Sequence, residues 1–185
     1  MSHAGINAED PRNAGIVEYL KPEPVTLETV ARRLAAASKG KTEAEIRARA
    51  EQVLQSIESK PHRPDPPLSQ PVEQAPDPWF GLGTHPDLIE ALWKMDGSLP
   101  ERCRWLLWGY PALVHPHSGV VFGIARGTIG LFLRLPKEVL ADEDAKTPAT
   151  VSALPDASAA LSDWRLIRQW SALASLGARA YAGAA

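Results

Sequence analysis

Apolar residues recur at two different periods along the chain, and the change of period falls at a proline-rich run. In VTLETVARRLAAASKG, Leu27, Val30, Ala31 and Leu34 repeat every three or four residues, the spacing of one helix face. Thr26 stands where an N-cap is needed, and Gly40 closes the stripe. The next segment opens TEAE, with Thr42 and Glu45 spaced as a capping box, and Ile46, Ala50, Val53, Leu54 and Ile57 continue at helical period. Two helices joined by SKGK form an αα-hairpin. Residues 1–60 are therefore expected to be a helical N-terminal arm.

Residues 61–78, PHRPDPPLSQPVEQAPDP, break the pattern. Proline fixes φ, removes a donor and restricts its predecessor, so this run is expected to be an extended linker. An α+β domain is expected over 79–185. Its first helix reads from THPDLIEALWKMDG, with Thr84 as N-cap, Pro86 and Asp87 in the first turn, and Gly97 at the end.

Beyond it the period drops to two. RWLLWGYPALV reads as one strand interrupted near Pro111, which points to an edge position or a bulge. HPHSG is a turn, VVFGIA a second strand, RG a tight turn using Gly127, and TIGLFLRL a third strand. In that third strand Ile129, Leu131, Leu133 and Leu135 share the inward face, leaving Phe132 on a face expected to be open to solvent or to a partner. KEVLADEDA is a short helix or turn. DWRLIRQW fits a strand and a helix equally, and the terminal SALASLGARAYAGA is helical. The expected fold is thus a small antiparallel sheet packed with helices. It holds a three-stranded meander, with residues 164–170 as a fourth strand if they are extended.

Charge narrows the choice of partners. Residues 1–60 carry nine basic and nine acidic side chains, and residues 79–185 carry ten of each. Neither part neutralises a polyanion, which argues against nucleic acid and anionic membranes, and no apolar run is long enough to span a bilayer. One cysteine, Cys103, excludes an intrachain disulfide, and the opening residues lack a secretory leader pattern, so the expected address is cytoplasmic. Heavy use of Ala and Arg suggests a bacterial genome.

The order of helix, meander ending in LRLP, short acidic helix, DW segment and terminal helix with AY resembles the TfoX N-terminal/YjbR-like fold over about residues 85–182. The matching positions are Gly109, Tyr110, Pro111, Phe122, Arg134, Leu135, Pro136 and Trp164. The resemblance implies a mostly non-enzymatic group with DNA-linked regulatory roles in some members. It carries over no catalytic residue and leaves residues 1–78 outside it.

Candidate chemistry is sparse. His115 and His117 form an H-x-H pair, which projects both imidazoles to one side of an extended segment as metal sites do; His85, Asp87 or Cys103 would complete the ligands. The competing reading is a solvated turn. GLGTHP and GIARGTIG lack the endings of dinucleotide and phosphate loops. Cys103, between Arg102 and Arg104, has the flanks of a low-pKa thiol and equally those of a small buried hydrophobe. Ser118 lacks a nucleophile-elbow signature. Most of the six tryptophans are expected to build the core. Trp105 and Trp108, three apart, would face opposite sides of a regular strand, leaving one as a surface anchor.

The expectation that follows is a non-catalytic regulatory, adaptor or complex-subunit protein with no cofactor. Its arm would engage a protein partner or form a homo-oligomer through Leu27, Val30, Leu34, Ile46, Val53 and Ile57, with Trp105 and Trp108 as further anchors. A helix-turn-helix use of the hairpin lacks its third helix. The second expectation is a DNA-associated regulator of TfoX/YjbR type, and the third a metal-dependent enzyme using the His-Pro-His turn.

Overall fold

The segment expected to be one interrupted strand is a hairpin. Trp108 and Gly109 both take positive φ, 49° and 80°, as the two central residues of a type I′ hairpin turn do. They join β2 (Arg104–Leu107) to β3 (Tyr110–Val114), with Leu107 opposite Tyr110. Pro111 is tolerated in an internal strand because β3 pairs with the next strand only from Ala112 onward. The computed structural model describes residues 5–59, 66–74, 83–146, 148–155 and 158–185.

Those residues fall into two units, one within Met1–Lys21 and Pro66–Ala185 and one within Pro22–Asp65. The first contains a seven-stranded, fully antiparallel sheet in the order β1-β2-β3-β4-β5-β7-β6. Its remaining strands are β1 (Ser69–Pro71), β4 (Val121–Arg126), β5 (Gly130–Arg134), β6 (Val151–Ala153) and β7 (Trp164–Ile167). The expected meander is present at its centre, but three or four strands become seven. The extra ones include two three-residue edge strands, too short for alternation to mark them. Residues 164–167 are extended, and a 3-10 turn at Trp170–Ala172 leads into the terminal helix.

Both faces of the sheet are buried. One carries α4 (Pro86–Asp96) and α6 (Leu173–Ala184), with Leu92, Met95, Leu133, Leu135, Leu176 and Ala180 in a common core; α5 (Lys137–Asp144) adds Val139. The other face is covered by α1 (Pro11–Leu20) and the 3-10 turn at Ala159–Leu161, where Ile16, Leu20, Val121, Ile124, Phe132 and Trp164 pack together. Phe132 is therefore fully buried, contrary to expectation, while Ile129 sits exposed in the turn before β5. A bulge in β4 makes the division possible. Pairing shifts between Leu113↔Gly123 and Val114↔Val121, so Phe122 is the extra residue. Phe122 enters the first core while Val121 and Ile124 both face the second.

The expected boundaries change accordingly. Residues 5–21 belong to the sheet unit rather than to an arm over 1–60, and Ser69–Pro71 pairs with β2 from inside the expected linker 61–78. Asp10 caps α1, accepting from the Arg12 amide at 2.8 Å, and Pro11 occupies the first turn. In α4 the cap is His85, one residue after Thr84, with Nδ1 accepting from the Asp87 amide. Thr84 instead turns inward toward the Ala125 carbonyl.

The second unit is the helical hairpin. α2 (Leu27–Ala37) starts at Thr26 and α3 (Glu43–Glu58) at Thr42, each with a reciprocal capping box. Gly40 takes φ of 79° in the connection. None of the eleven residues of α2 is buried, and Ala50 is the one buried residue of the sixteen in α3.

Candidate interaction surfaces

The HPHSG turn holds layers together. Asn7 donates its amide to the Gly119 carbonyl at 2.9 Å, and the Asn13 side chain donates to the Asn7 and Gly119 carbonyls at 2.7 and 2.9 Å. Asn13 Oδ1 accepts from the Val121 amide at 2.8 Å, so the fully buried amide of α1 uses both its ends. A Cβ at Gly119 would lie 2.8 Å from the Asn7 side chain, and Gly119 has φ of 70°, so only glycine serves there. On the other side Ser118 Oγ donates to the Ala184 carbonyl of α6 and accepts from the Val120 amide.

The two histidines of this turn go to different partners. His115 is buried, with Nδ1 3.3 Å from the Ser118 amide and its ring 4.7 Å from that of Tyr181. Burial, and then the neighbouring His117, hold its pKa below the usual value. His117 is exposed and sits 2.8 Å from a Glu101 carboxylate oxygen. The rings meet edge-on at 5.6 Å rather than converging on one point. Among the described residues no three of His, Cys, Asp and Glu form a group that could hold a metal.

Cys103 follows the bland reading. Burial first, then Asp96 and Glu101, push its thiol up to about 12, which removes the thiolate that a nucleophile needs. Its amide donates to Asp96 Oδ1 at 2.7 Å. Asp96 is buried, and its other oxygen accepts from Arg104 Nε at 2.6 Å. That guanidinium also bonds the Trp93 carbonyl and lies over the Trp93 ring, so the cluster ties α4 to β2. Ser118 Oγ lies 3.2 Å from His115 Nδ1, but its proton is committed to Ala184.

Trp105 and Trp108 are both half-buried against the second core, because Trp108 sits in the turn rather than on the strand. The Trp108 indole donates to the Val17 carbonyl at 3.0 Å, anchoring α1. Of the other tryptophans Trp164 is buried, Trp170 is 49% exposed and Trp79 lies outside the described residues. Residues missed in the sequence, Asp10 and Asn13, thus carry much of the attachment of α1. Asp10–Pro11 is a helix-start signal that could have been read; a buried asparagine has none.

The hairpin residues expected to bind a partner fall on accessible surface. Leu27, Val30, Leu34, Ile46 and Val53 are half-buried, and Ile57 is 45% exposed. A groove on the hairpin has Leu27, Ala31, Ala35 and Ile46 as its apolar floor. Glu28 and Arg32 of α2 and Glu43 and Arg47 of α3 rim it.

No family model, curated protein or solved structure matches the chain. No described helix is long and apolar enough to cross a membrane.

Proposed function

We propose that the protein is a non-catalytic adaptor, regulatory protein or complex subunit whose helical hairpin, residues 22–58, docks onto a protein surface. One observation supports this reading above the others. Two amphipathic helices, well capped and spanning Leu27–Ala37 and Glu43–Glu58, bury only Ala50 within the hairpin. Helices of this length are marginal in water, and their stability ordinarily comes from covering an apolar face. The polar clusters of the sheet unit, by contrast, are engaged in holding its layers together.

The test replaces residues 22–58 with a flexible linker and compares both forms in pull-downs from host cells and in sedimentation. Association is expected with the intact chain and absent without the hairpin, with the thermal transition of the sheet unit unchanged. Association that persists without the hairpin overturns the proposal.

A further inference from the structure

We propose that the HPHSG turn is an acid-operated latch, in which protonation of His115 expels its ring and releases the holds of the turn on α1 and α6 while the sheet stays formed. The turn joins three layers through few groups. The His115 amide donates to the Val120 carbonyl at 2.8 Å, and the His115 carbonyl accepts from the Gly119 amide at 2.9 Å. Its side chain organises the residues between. Nδ1 accepts from the Ser118 amide at 3.3 Å, which leaves the ring proton of the neutral form on Nε2. So placed, Ser118 Oγ reaches the Ala184 carbonyl of α6, and the Gly119 carbonyl accepts from the Asn7 amide and the Asn13 side chain. One ring thus underlies a bond to each of the two helices that sandwich the sheet at this corner.

A positive charge on this ring lacks a counterion of its own. His115 is 4% exposed, with Tyr181 of α6 against it at 4.7 Å and His117 of the turn at 5.6 Å between ring centroids. Glu101 faces it from the α4–β2 connection and Arg12 from α1. Glu101 is the one carboxylate of this set, and its oxygen lies 2.8 Å from His117 Nε2, so it already serves the other imidazole. Arg12 is paired with Asp10 at 2.9 Å. Tyr181, and Cys103 beside it, are held neutral, both with pKa above the usual value.

On acidification Nδ1 gains a proton, and its N–H then faces the N–H of Ser118, two donors where a donor and an acceptor stood. Ser118 Oγ, 3.2 Å away, is able to accept the new proton, but the amide is left unpaired and the imidazolium stays out of water. Hydration is recovered when the ring turns outward, at the expense of the Tyr181 contact and of the turn itself. The direction of the His115 shift agrees with this account. Burial first, then His117, hold its pKa down; Glu101 opposes them and Arg12 adds to them. In the open turn the ring takes the ordinary value of 6.5, so opening is favoured by up to about tenfold per pH unit as pH falls below it, until the closed form is protonated as well.

The test is amide hydrogen exchange by NMR on the full chain from about pH 7.5 to 4.5, corrected for intrinsic rates, with the His115 ring titration followed in the same samples. Protection of the Asn7, Gly119 and Val121 amides is expected to fall by about tenfold or more along the His115 titration. Amides at the centre of β4 and β5 are expected to keep theirs. His115→Gln, which cannot take the charge, is expected to hold its protection across the range, and His117→Gln to retain the wild-type fall. If His115→Gln fails to fold, the wild-type curves decide alone. Protection that stays flat while His115 titrates overturns the latch, as does a ring that stays neutral throughout. A fall shared equally by β4 and β5 overturns it too, because acid then unfolds the sheet rather than the turn. So does a fall that survives in a folded His115→Gln chain or disappears in His117→Gln.

Discussion

The sheet unit and the hairpin are built from comparable apolar material but differ in what that material touches. In the sheet unit, helices cover both faces, and Ile16, Leu92, Phe132, Leu133 and Trp164 are at most 1% exposed. Asn13 there is satisfied across long stretches of chain, at Gly119 and Val121, and Asp96 across elements, at Cys103 and Arg104. In the hairpin every side-chain hydrogen bond among the described residues joins positions at most ten apart, and the ion pairs Arg32–Glu23 and Arg47–Glu51 are exposed. Such pairs add little to stability. One region is closed by its own sequence, and the other is left with a face to cover.

The largest test of this contrast removes residues 5–21. The second face of the sheet would lose Ile16 and Leu20, each contributing about 1.5–3 kcal/mol by burial, together with the hydrogen bonds of Asn13. Loss of cooperative unfolding and aggregation are expected in calorimetry and light scattering. A truncated chain that melts normally would show that α1 is an accessory rather than a layer.

Next in size are paired truncations on opposite faces of β5. Phe132→Ala is expected to cost about 3–5 kcal/mol and Leu133→Ala about 2–5 kcal/mol in denaturant unfolding. A small loss at Phe132 alone would return that face to solvent.

Asn13→Ala is expected to cost about 2–3 kcal/mol, because it leaves the buried Val121 amide without its acceptor. The same measurement on Thr26→Ala, at a hairpin cap, should leave the sheet unit's transition untouched.

The smallest effect is a slope. His115 in the folded protein binds its proton at lower pH than the ordinary 6.5, so the unfolded chain takes up the proton first on acidification. Stability contributed here is full above the unfolded value and falls as pH drops through it, levelling below the folded value. His115→Phe should flatten the melting temperature as pH falls through and below the ordinary histidine value. An unchanged slope would place the titrating group elsewhere.

Most local signals in the sequence match the structure, the cap of α4 excepted, where His85 stands in for Thr84. Thr26, Thr42 with Glu45, Gly97 and Gly127 all stand where capping and turn chemistry put them. Leu131, Leu133 and Leu135 share the inward face that alternation assigns them. What escaped depends on distant residues. VVFGIA has no polar position, a pattern that fits burial on both faces, but nothing local says that α1 supplies the second cover. Trp108 at positive φ is legible only through the glycine after it. In the histidine turn the pairing of His117 with Glu101 and the burial of His115 under Tyr181 are set by tertiary contacts. H-x-H spacing alone leaves both open.

The attachment of α1 across the sheet also has a cost in time. Asn13 and Gly119 are 106 residues apart, and α1 leaves the ribosome before the strands it covers. At roughly 5–20 residues per second its partners follow about 5–20 s later. Helix formation takes microseconds, so the hairpin, with both its helices inside residues 27–58, can close well within that delay. The nascent chain thus carries an apolar α1 without its sheet for seconds, a window in which a chaperone holding residues 11–20 would change yield without changing the final fold.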